Sequence, residues 1–287
     1  MTEEGLSIRG FMVHLTHYDP RWVERKDSEE PFSLELALEL VDAMAEARMN
    51  LLVIDCADGV KYETHPELKR RYTVPMSQLE ELAGRARQAG IEVVPKLNWA
   101  QSALHRHNHW FRPHHRLFDN EEYWRRSFQL VDELVEACRP ERFFHIGMDE
   151  DHDRSHAQYA QAIITLHAGL AERGLRPVMW KDWQTWPSGQ VHKEKSMAAE
   201  DQISRDIVQV PWNYKSTAPD VVERMVGKGF EVWGAPGGEP EKVQAWRDDI
   251  LRLGGTGLLL TAWVPCRAEN RDRLLELIRT CGPVCAG

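Results

Sequence analysis

The fold this sequence predicts is a (β/α)8 TIM barrel, a single domain of the α/β class, and three observations predict it. Short apolar runs alternate with amphipathic stretches along the chain. The runs lack the period-2 alternation of half-exposed strands, as expected of parallel strands covered on both faces. The alternation repeats eight times with no break in composition, which means one barrel rather than two domains. At 287 residues the chain suits one such barrel, so residues 1–287 read as one domain. The alternative, an open doubly wound sheet, would usually carry G-x-G-x-x-G after its first strand, and that motif is absent.

The strands are expected at Ile8–Leu15, Asn50–Asp55, Ile91–Leu97, Arg142–Gly147, Arg176–Lys181, Ile207–Pro211, Phe230–Gly234 and Gly257–Trp263. Between them, Leu34–Arg48 has apolar residues at three- and four-residue spacing, the stripe of a surface helix. The next helix is expected from Ser77, with Glu80 completing a capping-box pattern. Glu121–Cys138, Ser155–Arg173, Pro219–Lys228, Glu239–Leu253 and Asn270–Thr280 follow. The fifth connection, Trp183–Ser204, has the weakest helical pattern. Gly90, Gly174, Gly229 and Gly255 mark helix-to-strand joints, where a left-handed residue ends a helix.

Composition excludes several classes of function. The formal net charge of −9 argues against nucleic acid, whose phosphates call for clustered Lys and Arg. No apolar run approaches the ~20 residues that cross a bilayer. The acidic start, Met1-Thr2-Glu3-Glu4-Gly5, has no secretory pattern, and the five cysteines are odd in number with no C-x-x-C pair. The expectation is a reduced, cytoplasmic protein without membrane partners.

A barrel places function where strands end and βα loops begin. Polar residues gather there. The first strand ends with His14, His17 and Tyr18, and the second gives Asp55 and Asp58. The third gives Lys96 and Asn98; the fourth gives His145, Asp149 and Glu150, then Asp151-His152-Asp153. The fifth gives Trp180, Lys181 and Asp182, the sixth Trp212, Asn213 and Tyr214, the seventh Trp233, the eighth Trp263. Carboxylates and tryptophans are dense in this set. Apolar sugar faces stack on aromatic rings while sugar hydroxyls need charged and polar partners, so the expected partner is a carbohydrate. The alternative is that each ring merely caps the barrel core. The long segment Asn98–Asn120, with five histidines, is a candidate wall or lid.

The run Phe144-His145-Ile146-Gly147-Met148-Asp149-Glu150 resembles the H-x-G-G-D-E signature of the family 20 glycoside hydrolases, the β-N-acetylhexosaminidases. Arg9-Gly10-Phe11-Met12, Asn50-Leu51-Leu52-Val53-Ile54 with Asp58 beyond it, and Gly90-Ile91-Glu92-Val93-Val94-Pro95 resemble that family's first three strands, in the same order. The similarity runs from about Arg9 to Trp263. The resemblance implies a retaining, substrate-assisted, exo-acting glycosidase that needs no metal or other cofactor. In it Glu150 is the general acid/base, and Asp149 with Tyr214 holds the 2-acetamido group whose carbonyl oxygen is the nucleophile. Substrate contacts are then expected from Arg9, His14, Asp58, Lys96, Asn98, His145, Asp182, Trp180, Trp212, Trp233 and Trp263. A general acid needs a raised pKa, which crowding by Asp149, His145 and aromatics would supply to Glu150. Asp149 and Glu150 are adjacent, so both face one pocket only if the strand has ended and the chain is turning.

The chain departs from the family pattern at several places. Met148 replaces the second glycine of the signature. Lys96 and Asn98 stand where a Glu and an Asp are usual, Ser102 where a His is, and His14 where an Asp is. Trp263-Val264-Pro265 lacks the usual Trp-x-Glu. Three other readings therefore stay open. Glu150 paired with Asp182, Asp55 or Asp58 is a direct-nucleophile glycosidase. His14, His17, Asp55, His145 and Asp149 are a potential metal set, although H-x-x-H does not put both rings on one strand face. A sugar-binding barrel without catalysis is the third.

Overall fold

The computed structural model describes residues 5–16, 29–102, 109–183 and 190–287. Eight parallel strands close into a barrel in the order β1 to β8: β1 Ile8–His14, β2 Leu51–Asp55, β3 Glu92–Lys96, β4 Phe143–Gly147, β5 Arg176–Lys181, β6 Val208–Asn213, β7 Trp233–Pro236 and β8 Gly257–Pro265. The α-helices are α1 Leu34–Glu46, α2 Met76–Gln88, α3 Glu121–Cys138, α4 His156–Ala171, α5 Gln190–Ala199, α6 Pro219–Gly227, α7 Pro240–Leu253 and α8 Arg271–Ala286. One α-helix follows each strand, as the eightfold alternation requires. Among the described residues no helix is long and apolar enough to cross a membrane. All five cysteines are free and buried.

The strands carry apolar residues on both faces because both faces are covered. One face packs under the helices through Phe11, Leu52, Ile54, Val93, Phe144 and Met179 among others. The other fills the barrel with Ile8, Met12, Leu51, Val53, Val94, Phe143, Val178, Val208 and Val210. This interior is a plug of bulky side chains rather than a pore. Alternation continues up each strand, so the inward residue two positions above an interior one also faces in. Above Met12, Val53, Val94 and Phe143 stand His14, Asp55, Lys96 and His145, which are register partners across four neighbouring strands. The apolar plug therefore carries a polar top.

Several boundaries differ from the sequence reading. Helix α2 begins at Met76 behind Pro75, and Ser77 lies inside it instead of capping it. Proline's fixed φ sets that start. A true capping box occurs at α4, where Ser155 and Gln158 exchange side-chain bonds with each other's backbone N–H. After α7 the left-handed residue is Gly254 (φ +82°), not Gly255. Helix α5 does form, but polar contacts dock it: Lys195 and Ser196 are buried, and Lys181 Nζ donates to Ser196 O at 3.0 Å. A helix held this way has no apolar stripe to read.

Candidate active site

The end of β4 breaks away from regular backbone within four residues. Gly147 (φ +70°), Met148 (φ +73°) and Glu150 (φ +51°) all adopt left-handed conformations, so the strand has ended and the chain turns sharply. Only glycine fits at 147. A Cβ there would lie 2.2 Å from Asn98 Oδ1 and 2.7 Å from Asn98 Cα. Asn98, just beyond β3, is the template of the turn. Its Oδ1 accepts from Met148 N at 3.0 Å and Ala100 N at 2.9 Å, and its Nδ2 donates to Asp149 Oδ1 at 2.7 Å. Tyr159 of α4 donates to Met148 O at 2.9 Å. Each partner satisfies a backbone or carboxylate group that the turn takes away from the strand ladder.

Asp182, just past β5, grips the next residue. Its Oδ2 accepts from Glu150 N at 2.8 Å and its Oδ1 from Trp212 Nε1 at 3.2 Å. Burial, with Asp149 beside it, pushes the Asp182 carboxyl up to about 8. Trp212 stacks beside Tyr214 with ring centroids 5.8 Å apart, and Trp183 Nε1 donates to Trp212 O at 3.0 Å. The Tyr214 hydroxyl accepts from Trp263 Nε1. Burial above all raises its pKa, and the charges of Asp149 and Glu150 raise it further, so Tyr214 stays a neutral donor.

Asp149, Glu150, Asp182, Trp212, Tyr214 and Trp263 thus come together, and Asn98 supports them. Below them, Trp263 lies 5.0 Å from the His14 ring and 6.0 Å from Trp180. Trp180 is buried in turn 4.6 Å from His145. His145 Nδ1 accepts from Gly147 N at 3.0 Å, which leaves the proton of the neutral ring on Nε2. Burial, with the Lys96 charge nearby, keeps this histidine well below its ordinary pKa and so neutral.

Lys96 is not an open sugar contact. Its ammonium donates to Asp55 Oδ2 at 2.6 Å, and His14 Nδ1 lies 3.0 Å from the same oxygen, all of them buried. Burial would raise the Asp55 carboxyl, but Lys96 and His14 hold it well below the usual range. Asp58 lies in the β2–α2 loop beside Arg70, at 3.5 Å, and Thr73 donates to its backbone oxygen. Arg9 is an outright correction. It opens β1 at the opposite end of the barrel and faces away from the interior, where its guanidinium donates to Arg48 O and Leu6 O, both at 2.7 Å. Trp233 is a second. It begins β7 instead of ending it, packs at 5.1 Å on Phe143 and plugs the lower barrel. His17, Tyr18, His105 and His107 lie outside the described residues.

The residues that follow the turn form a buried bracket that sequence reasoning missed. Arg154 donates to Asp151 Oδ2 at 2.6 Å, to both oxygens of Asp119 at 2.8 Å and to Trp99 O at 2.8 Å. Lys195 of α5 donates to Asp151 O at 2.6 Å. Against burial, Arg154 and Lys195 hold Asp151 below the usual carboxylate range. Asp151 is therefore a buried anchor, while Asp153, two residues on, is exposed. Asp151 and Arg154, three residues apart, were visible as a pair, but Lys195 lies in the segment with the weakest pattern.

No family model matches the chain, and no curated protein matches its sequence. Solved structures do match in fold. The family 20 β-N-acetylhexosaminidase of Streptomyces coelicolor A3(2) superposes with a TM-score of 0.71 at 15% identity, over 98% of this chain and 64% of that one. The chitobiase of Flavobacterium johnsoniae gives 0.68 at 16%, over 96% of this chain and 48% of its own, so the chain spans about half of it. Dispersin B gives 0.60 at 15%, over 97% of this chain and 98% of its own. The chain has the barrel fold of these three structures, of which the Streptomyces and Flavobacterium enzymes are family 20 glycoside hydrolases.

Proposed function

We propose that the protein is a retaining glycoside hydrolase acting from the chain end on 2-acetamido sugars, with Glu150 as general acid/base. The observation that carries this reading is the left-handed turn at Gly147–Glu150. It presents two adjacent acids to the barrel mouth, with Tyr214 and Trp212 beside them. Asp149, fixed by Asn98, receives the N–H of the acetamido group and orients its carbonyl oxygen toward the anomeric carbon. Tyr214 accepts an N–H from Trp263 and so has its own proton to give to that carbonyl oxygen. Glu150 protonates the departing glycosidic oxygen, then as base activates the water that opens the cyclic intermediate. Trp212 and Trp263 offer ring faces for the apolar face of the sugar.

A direct carboxylate nucleophile fits less well. Asp182 is pushed up to about 8 and is protonated at neutral pH. Asp55 is locked under the mouth by Lys96, and Asp58 is turned to Arg70. The Lys96 ammonium on Asp55 also disfavours a divalent ion among His14, Asp55 and His145. With the residues around the mouth altered and the acid pair retained, the difference from simple N-acetylglucosaminides lies in the hydroxyl contacts, not in the acetamido subsite. The test is turnover of a panel of nitrophenyl glycosides, with and without the 2-acetamido group, by wild type and Glu150→Gln. Cleavage confined to 2-acetamido sugars and lowered roughly 10²- to 10⁴-fold in the variant is expected. Sugar binding with no turnover in either protein would instead favour a non-catalytic carbohydrate-binding barrel.

A further inference from the structure

Beyond the turn that carries the acid pair, the β2–α2 loop meets the 3-10 turn His109–Leu117 of the histidine-rich segment. There His65, Glu67 and His114 each offer a ligand atom within 4.8 Å of the others. We propose that these three residues form a divalent-cation site for zinc or a similar borderline ion. His65 Nδ1, a Glu67 oxygen and His114 Nε2 are the ligands, and solvent takes the fourth place.

Proton placement carries the argument. Gln129 Oε1 accepts from Arg125 Nη1 at 3.1 Å, which identifies that atom as the amide oxygen. His65 Nε2 lies 3.1 Å from the same oxygen and must donate to it. The Nδ1 of a neutral His65 then carries a lone pair. It faces Glu67 Oε1, itself a carboxylate acceptor, at 2.9 Å. Two lone pairs at that distance repel unless a second proton or a cation lies between them. His114 Nε2 reaches the same oxygen at 2.7 Å. An outer carboxamide that fixes the tautomer and aim of a histidine is the usual support of a metal ligand. Two imidazoles and one carboxylate suit zinc, and the partial exposure of Glu67 leaves solvent access. The opposing feature is Arg126, whose Nη1 lies 3.8 Å from Glu67; its guanidinium is also held by Glu122 at 2.7 Å.

A bound ion would tie two mouth loops together. The turn that carries His114 also carries Trp110, whose Nε1 donates to Asn98 O at 3.2 Å. The experiment is calorimetric titration of zinc chloride into the chelator-treated full chain, with the visible spectrum of the cobalt form as a second readout. One equivalent is expected to bind. Glu67→Gln and His114→Ala should abolish binding, and Gln129→Ala, which removes no ligand, should weaken it roughly 10- to 100-fold. Circular dichroism checks that each variant folds, and Gln129→Ala keeps the test alive if a ligand variant does not. No binding to wild type, or equal binding by Gln129→Ala, would overturn the proposal. So would thiolate charge-transfer bands in the cobalt form, which would put the ion on cysteine.

Discussion

The Asn98 side chain holds Asp149 through its amide nitrogen at 2.7 Å and the Met148 N–H through its amide oxygen at 3.0 Å. One residue from β3 therefore shapes the turn that β4 needs and aims the acid that the turn delivers. Asn98→Ala removes these two bonds and the one from Ala100 N, and leaves buried groups without partners, each costing about 1–3 kcal/mol. The expected result is a loss of about 2–4 kcal/mol in urea unfolding. The kcat should fall by about 10²-fold, since misplacement by an ångström is enough for that. Asn98→Asp retains the acceptor oxygen for Met148 N but sets a carboxylate against Asp149. It should fold better than Asn98→Ala and lose comparable turnover.

Gly147 and Met148 differ in what their left-handed backbone asks for. Gly147→Ala places a Cβ against Asn98 Oδ1 and keeps a positive φ. Strain and overpacking each cost about 1–3 kcal/mol, so the variant should lose about 2–5 kcal/mol and its activity. Met148→Gly would relieve about 1–2 kcal/mol of backbone strain. The buried Met148 side chain is packed, however, and truncating such a residue costs about 2–5 kcal/mol. Packing wins, and the variant should be less stable than wild type. Thermal or urea unfolding of the two variants checks both signs.

Asp182 contributes a pH-dependent part of the stability. Its carboxyl is raised from an ordinary 3.8 to about 8 in the folded protein. The folded state thus holds this proton more tightly than the unfolded chain does, and the Asp182 contribution falls as pH rises from about 4 to about 8. Asp182→Asn cannot ionise and still offers an oxygen to Glu150 N. Its urea midpoint should decline less than that of wild type across this window. Equal slopes for the two proteins would contradict the assignment.

Beneath the mouth, Lys96 and Asp55 form a buried pair. Lys96→Met leaves the Asp55 charge without its strongest partner, and breaking such a pair costs about 3–5 kcal/mol. Replacing both, as Lys96→Met with Asp55→Leu, should restore most of the stability, since an apolar pair needs no desolvation repayment. A double variant as unstable as the single one would mean that His14, which also faces the Asp55 carboxylate, depends on that charge more than Lys96 does.

The eight strands and the turn that ends β4 were legible because burial on both faces leaves a continuous apolar run, and because Asp149 and Glu150 can share a pocket only where the strand has ended. Direction along a strand and inward or outward parity were harder. Arg9 looked like a mouth residue, yet Ile8, Met12 and His14 face the interior, which turns Arg9 outward at the far end. Trp233 was expected at the end of the seventh strand, but regular pairing of β7 starts there and runs to Pro236. A shift of three residues converts a strand end into a strand start. The raised carboxyl of Asp182 depends on burial and on Asp149, which follows another strand, and no local pattern carries either.

In the proposed reaction the acetamido carbonyl oxygen of the substrate is the nucleophile, held by Asp149 and Tyr214. The most direct test of that role is kcat/KM for nitrophenyl 2-acetamido glycosides whose acetyl group bears none, one, two or three fluorines. Fluorine withdraws electrons from the carbonyl oxygen without changing the leaving group. A steep, monotonic fall in rate along the series is expected, with the trifluoro substrate scarcely cleaved. A flat series, with 2-hydroxy sugars cleaved as fast as 2-acetamido ones, would place the nucleophile on a protein carboxylate and contradict that role.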